Sequence, residues 1–229
     1  MTIHYHGTPI SPREVLYRLA GRHFCVSFAA PQDVEICHRI GQSVMLDNGA
    51  FSLWRAGKQT DWPGYYAWCE RWLDCRTTWA VVPDVIDGDE AANDALVAQW
   101  PFGIQQGSPV WHLHESIERL IRLCGHWPRV CIGSSGQYAT VGNERWHARM
   151  ADAMNRLCGN GPPPCALHML RGMSLSGSHY PFASVDSTDV ARNHNRQQND
   201  ALAMAVRWDS AQCELRWSVR STQMEMAHV

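Results

Sequence analysis

Residues 109–133 read PVWHLHESIERLIRLCGHWPRVCIG. Pro109 to Leu113 and Arg129 to Ile132 are short apolar runs of the length of buried strands. Between them, Ser116 to Cys124 sets Ile117, Leu120, Ile121 and Cys124 at helical spacing. Strand, amphipathic helix, strand is the pattern of a parallel crossover.

The same alternation extends in both directions. Further apolar runs are Ile3 to His6, Phe24 to Ala29, Ser43 to Leu46, Trp79 to Val82, Ala166 to Leu170 and Phe182 to Val185. Helical patterns cover Pro12 to Leu19, Trp62 to Leu73 and Glu144 to Leu157. Eight strands alternating with helices predict a compact (β/α)8 TIM barrel. The competing architecture, a doubly wound open sheet, calls for a glycine-rich phosphate turn after the first strand, and His6-Gly7-Thr8-Pro9 is not one. The one clear break, Gly159 to Pro164, reads as a loop, so residues 1–229 are expected to form a single domain. A final helix is expected over Arg196 to Arg207, with a possible strand over Glu214 to Arg220.

Composition narrows the function. Hydrophobic residues make up 45% of the 229 and charged residues 18%, enough for a large core. No run of about 18 apolar residues occurs, so no membrane-spanning helix is expected. The start lacks a basic segment followed by an apolar one, so no signal peptide is expected. Nine cysteines, an odd number, never fall as CxxC or CxC, which points to reduced thiols in a cytoplasmic protein and away from zinc fingers. The net charge of −2 disfavours nucleic-acid coating by charge alone but leaves room for a local basic face, and Lys58 is the one lysine among twenty basic residues.

Chemistry in a barrel sits where strands end. Those positions hold His4 and His6; Asp47-Asn48-Gly49-Ala50-Phe51; Asp84; His112, His114 and Glu115; Gly133-Ser134-Ser135-Gly136; His168 to Gly172; and Asp186-Ser187-Thr188-Asp189. A carboxylate after a strand is often a helix cap. Paired carboxylates in one pocket also suit glycosidic chemistry, one attacking the anomeric carbon and the other handling the leaving group's proton. The alternating histidine pairs His4/His6 and His112/His114 are a metal arrangement if a carboxylate joins them, and otherwise a hydrogen-bonded polar layer.

Three of these segments together resemble the tRNA-guanine transglycosylase superfamily. Asp47 to Phe51 resembles its Asp-Ser-Gly-Gly-aromatic motif, and Val185 to Asn193 resembles its nucleophile segment. Gly133 to Gly136 stands where that family has a glycine-rich base-binding turn. The resemblance implies a (β/α)8 barrel that exchanges guanine in nucleic acid for a 7-deazaguanine such as preQ0, without metal or other cofactor. It implies Asp186 as nucleophile at the sugar C1′ and Asp47 as general acid/base. Asp84 would accept from the base, and Phe51 would stack on it with Met169 or Leu170 opposite. The Gly133 and Ser134 backbone would donate to the base carbonyl, and His114 stands near a base-reading glutamine. Arg55, Arg171, Arg192 and Arg196 would hold phosphates. The family's zinc subdomain is missing, since only Cys213 follows Asp186 and His228 cannot complete a site with it. The short chain and missing zinc site resemble the phage and bacterial branch that modifies DNA, so DNA is favoured over tRNA, in the host cytoplasm if phage-encoded.

Alternatives are a metal-dependent amidohydrolase-like barrel built on His4, His6, His112 or His114 and Asp186, an N-glycoside hydrolase on the same scaffold, and a non-catalytic subunit that positions nucleic acid.

Overall fold

The computed structural model describes residues 1–196 and 198–220. Its strands are β1 (Ile3–Gly7), β2 (His23–Ser27), β3 (Ser43–Asp47), β4 (Thr78–Val81), β5 (Gly107–Ser108), β6 (Val110–His112), β7 (Arg129–Gly133), β8 (Ala166–Met169) and β9 (Phe182–Ser187). The helices are α1 (Arg13–Arg18), α2 (Val34–Ile40), α3 (Ala50–Arg55), α4 (Trp62–Glu70), α5 (Glu90–Ala98), α6 (Ile117–His126), α7 (Glu144–Cys158), α8 (Asp189–Asn193) and α9 (Ala201–Ser210). All eight apolar runs form strands, with Gly107–Ser108 as an additional piece. Helices α2, α3, α5 and α8 escape the sequence pattern because they are short or weakly patterned; α5 buries only Asn93.

The strands are all parallel, in the order β5-β4-β3-β2-β1-β9-β8-β7-β6. The two ends of that order, β5 and β6, are consecutive in the chain and separated by Pro109 alone. Proline has no N–H to give to a ladder. At this point the chain stops pairing with β4 and starts pairing with β7; Val82 N–H reaches back to Ser108 O at 3.0 Å, and Cys131 N–H donates to Pro109 O at 2.9 Å. The sheet therefore comes round on itself as a near-closed, TIM-barrel-like architecture.

Strand alternation sorts the side chains into two cores. One set, including Phe24, Leu46, Trp111, Ile132, Met169 and Val185, packs outward on the helices. The other, Tyr5, Cys25, Met45, Trp79, Val81, Val110 and Cys131, fills the interior. Tyr5 Oη accepts from Trp79 Nε1 at 2.8 Å, and the Arg129 guanidinium lies 4.4 Å from the Trp79 ring centroid. This layer plugs the barrel below the strand ends and leaves open space above it.

Helix starts are capped by short polar side chains: Asp61, Asp89, Ser116, Asn143 and Asp200 each accept a backbone N–H of the first turn, worth about 1 kcal/mol apiece. The Asp200 cap explains why the last helix begins at Ala201 and not at Arg196. Residues 214–220 form no strand. Their backbone is satisfied by loops and side chains, as in Trp217 N–H to Gly161 O at 2.9 Å and Val219 N–H to Asn160 Oδ1 at 2.8 Å. His228 lies outside the described residues. Among the described residues no helix is long and apolar enough to cross a membrane.

Candidate active site

A cavity of about 840 Å³ opens at the C-terminal ends of the strands. It is walled by Asp47, Asp84, Asp186, Phe51, His112, Gly133, Ser134, Leu170, Arg55, Arg171 and Arg192, among others. Ten of the residues to which the resemblance gives a role meet there. Three do not. Met169 is fully buried and faces the helices, because its neighbours His168 and Leu170 take the inward positions of β8 and the chain that follows. His114 is exposed outside the cavity, where its ring nitrogens bond Ser135 Oγ and Gly88 O. Arg196 is exposed beyond α8 and lines no part of the cavity.

Asp186 enters from β9, on the inward side with Ser184. Its Oδ1 accepts Arg171 N–H at 2.8 Å and lies 3.3 Å from His168 Nε2, while His168 Nδ1 lies 2.8 Å from Ser184 Oγ. Burial holds the His168 imidazole below its usual range, against the opposing pull of Asp186. A neutral ring here donates from Nε2 to Asp186 and takes the Ser184 hydroxyl at Nδ1. Arg171 aims its N–H at Asp186 from a left-handed backbone conformation, φ +56°. Oδ1 is thus held from two sides, with Oδ2 as the other oxygen of a fixed carboxylate.

Asp47 closes β3. Burial pushes its carboxyl up to about 6; Ser27 opposes this, the charges of Asp186 and Asp84 add to it, and the Gly49 N–H opposes it. Gly49 sits at φ +76°, and a Cβ there would fall 3.0 Å from the Ala29 nitrogen, so this position of the Asp-Asn-Gly run takes glycine. Asn48 is buried and donates to Val82 O at 3.0 Å and to Asp84 Oδ1 at 2.7 Å.

Asp84 is held at both oxygens. Besides Asn48 on Oδ1, His112 Nε2 lies 2.9 Å from Oδ2. Each oxygen keeps a second lone pair for a ligand. Gly133 makes room for this pair, since a Cβ there would come within 2.8 Å of His112 Nδ1. The sequence reading placed Asn48, His112 and His168 at strand ends, and His112 as a possible metal ligand, but gave none of them a role beside the aspartates. For His112 and His168 the signal was strand alternation, since Val110 and His112 share one face of β6 and His168 and Leu170 one face at β8; Asn48 follows β3 and is placed by its bonds to Val82 and Asp84.

His4 and His6 point out of the barrel. His4 Nε2 lies 3.0 Å from Ser176 Oγ and His6 Nε2 lies 3.0 Å from Asp209 Oδ1 of α9. They are helix-layer contacts, and the strand-one pair of the amidohydrolase pattern does not face the cavity. Among the described residues no three His, Cys, Asp or Glu side chains gather as a metal-ligand set.

Acidic groups therefore line the depth of the cavity, and Arg55, Arg171 and Arg192 share its walls. The Arg171 side chain donates to Ser134 O at 2.6 Å. Such a cavity can hold a cationic or hydrogen-bond-donating ring beside the carboxylates while arginines meet an anionic group. The chain matches no protein-family model, no curated protein and no solved structure.

Proposed function

We propose that this chain is a (β/α)8 transglycosylase without a zinc subdomain that exchanges guanine in nucleic acid, DNA in preference to tRNA, for a 7-deazaguanine. One observation carries the reading: two carboxylates in one cavity stand in unlike environments. Asp47, pushed up to about 6, can carry or accept a proton near neutral pH, as an acid/base must. Asp186 is fixed by Arg171 N–H and His168, as a nucleophile must be held in line.

In the proposed reaction Asp186 attacks C1′, the carbon–nitrogen bond breaks and its electrons leave on the base, which takes the Asp47 proton. The incoming base returns its ring N–H proton to Asp47 and displaces Asp186, with C1′ configuration retained after two inversions. Asp84 accepts from ring and amino N–H groups through its spare lone pairs. Arg55, Arg171 and Arg192 take phosphates, and the target base enters unstacked from its neighbours.

The test is mass spectrometry of guanine release and preQ0 incorporation with DNA and with tRNA, using wild type and Asp186→Asn. The expected result is incorporation, and a covalent protein–nucleic acid adduct, only with Asp186 present. Guanine release without incorporation points to the N-glycoside hydrolase, and neither event in either polymer overturns the reading.

A further inference from the structure

We propose that Asp84, His112, Ser135 and His114 form a proton chain from the cavity to the surface, and that it stores one proton between Asp84 and His112. The links are Asp84 Oδ2 to His112 Nε2 at 2.9 Å, His112 Nδ1 to Ser135 Oγ at 3.4 Å, Ser135 Oγ to His114 Nδ1 at 3.0 Å, and His114 Nε2 to Gly88 O at 2.9 Å. Asp84 lines the cavity, Ser135 is buried and His114 is exposed, so the chain runs from inside to outside.

The direction of the bonds follows from its outer end. A carbonyl oxygen only accepts, so His114 Nε2 carries a hydrogen. With His114 neutral, its Nδ1 must accept, and the single Ser135 hydroxyl hydrogen goes to it. Ser135 then has only lone pairs to offer His112, so His112 Nδ1 carries a hydrogen. Nothing but a further proton can join His112 Nε2 to Asp84 Oδ2. The pair is then an imidazolium beside a carboxylate, neutral as a unit. A protonated His114 reverses the two Ser135 bonds. Nδ1 donates to Ser135, Ser135 donates to His112 Nδ1, and His112 keeps one hydrogen, on Nε2 toward Asp84. The two arrangements differ by the position of one proton, with no proton gained or lost overall.

The surroundings favour storage at the inner end. Asp47 and Asp186 face the pair across the cavity. Behind His112, Glu115 accepts its backbone N–H at 2.8 Å, but the Glu115 charge is already answered by Arg119 at 2.7 Å. Arg171 reaches only the carbonyl of Ser134, the residue before Ser135. Around the His114 loop, Glu90 takes the Ser116 N–H, and Arg149 donates to the carbonyls of Leu113 and Glu115. The three cavity carboxylates thus have one proton stored at the Asp84–His112 pair, besides the one that Asp47 takes up and releases.

His112, Ser135 and His114 act as positioning residues through Asp84. The proton arrangement stands without the transglycosylase reading; its consequence rests on it. Asp84 keeps both spare lone pairs for the ring and amino N–H donors of a guanine-like base, with its charge cancelled from behind, and the balance resets from solvent without opening the cavity.

The test is ¹⁵N NMR of the imidazole side chains in the full chain across neutral pH. The expected spectrum, wherever His114 is neutral and carries its hydrogen on Nε2, has both His112 nitrogens protonated. Ser135→Ala removes the acceptor of His112 Nδ1 and should leave His112 with a single hydrogen on Nε2. Ser135→Thr should restore the second. His114→Ala frees the Ser135 hydroxyl to donate inward and should give the same loss, which covers the case in which Ser135→Ala does not fold. A singly protonated His112 beside a neutral His114 in the wild type, or an unchanged His112 in both alanine variants, overturns the proposal. A base-exchange assay that fails while this pattern holds counts against the transglycosylase reading alone.

Discussion

The guanidinium carbon of Arg171 lies 3.9 Å from the centroid of the Phe51 ring. The same residue gives its backbone N–H to Asp186 and a side-chain N–H to Ser134 O. One arginine therefore ties the aromatic wall to Asp186, the carboxylate proposed as nucleophile. It also covers a face of the ring on which a base was expected to stack, so an incoming base takes the other face or displaces the guanidinium.

That coupling separates two kinds of binding. Phe51→Ala should weaken free-base binding by about 1–3 kcal/mol, roughly fivefold to 150-fold, read by calorimetry. Arg171→Ala keeps the backbone N–H and uncovers the ring. Free-base affinity should hold or improve, while nucleic-acid affinity falls and its salt slope drops by about one. Equal losses for both ligands would remove Arg171 from phosphate binding.

Asp47 links activity to stability. Its carboxyl is raised to about 6 in the folded chain, above the ordinary carboxylate range. Its contribution is fully present below that ordinary range and is lost as pH rises through about 6. With partial screening by cavity water, the loss is roughly 1–2 kcal/mol. Asp47→Asn should flatten this part of the pH–stability curve and unfold later than wild type in urea above neutral pH. It should also abolish base exchange. A variant less stable than wild type there would contradict the assignment.

Glu115 and Arg119 form an ion pair whose side chains are both fully buried, and Glu115 also takes Asn93 Nδ2 at 2.9 Å. Arg119 also reaches Asp94 at 2.7 Å through Nε, but removing Glu115 leaves its buried Nη1 end with no carboxylate, and removing Arg119 leaves Glu115 without a cation. Glu115→Ala should cost about 3–5 kcal/mol in denaturant unfolding, and the double variant Glu115→Ala/Arg119→Met should recover part of it. Additive losses would show that the two charges act independently.

Asp209 fastens α9 to β1. Burial alone would raise its carboxyl, but His6 and Arg22 hold it below the usual range. A depressed carboxyl contributes stability above its unfolded value and loses it as pH falls through the folded one. Asp209→Asn should therefore reduce stability at neutral pH and leave it unchanged in strong acid. Amide exchange in α9 should rise before exchange in β2 and β3.

The strands were legible because each is a four- to six-residue apolar run bounded by polar or turn-forming residues, and the clustering of Asp47, Asp84 and Asp186 followed from counting strand ends. Which neighbour faces inward was legible too, but needed alternation applied residue by residue. Leu170 and not Met169 shares a face with known interior residues, whereas alternation gives His112 and His114 one face, and only the end of β6 at His112 sends His114 outside. His4 and His6 sit on the face opposite Tyr5. The break at Pro109 was not legible. A proline at a strand start is ordinary, and only the partners on either side show that the chain changes neighbours there. The proton chain depends on Ser135 and Gly88, brought together from separate loops, and no local pattern encodes that meeting.

A barrel resists opening because its hoop of backbone hydrogen bonds has no ends. This hoop has two, at β5 and β6, and above Pro109 the span is completed by side chains, Asn48 to Asp84 to His112. The rivet in that span is also the wall of the cavity. Whatever engages Asp84 tightens the hoop, so occupancy and mechanical rigidity share one free energy. Protection of the β4 and β6 amides then serves as a gauge of what the cavity holds.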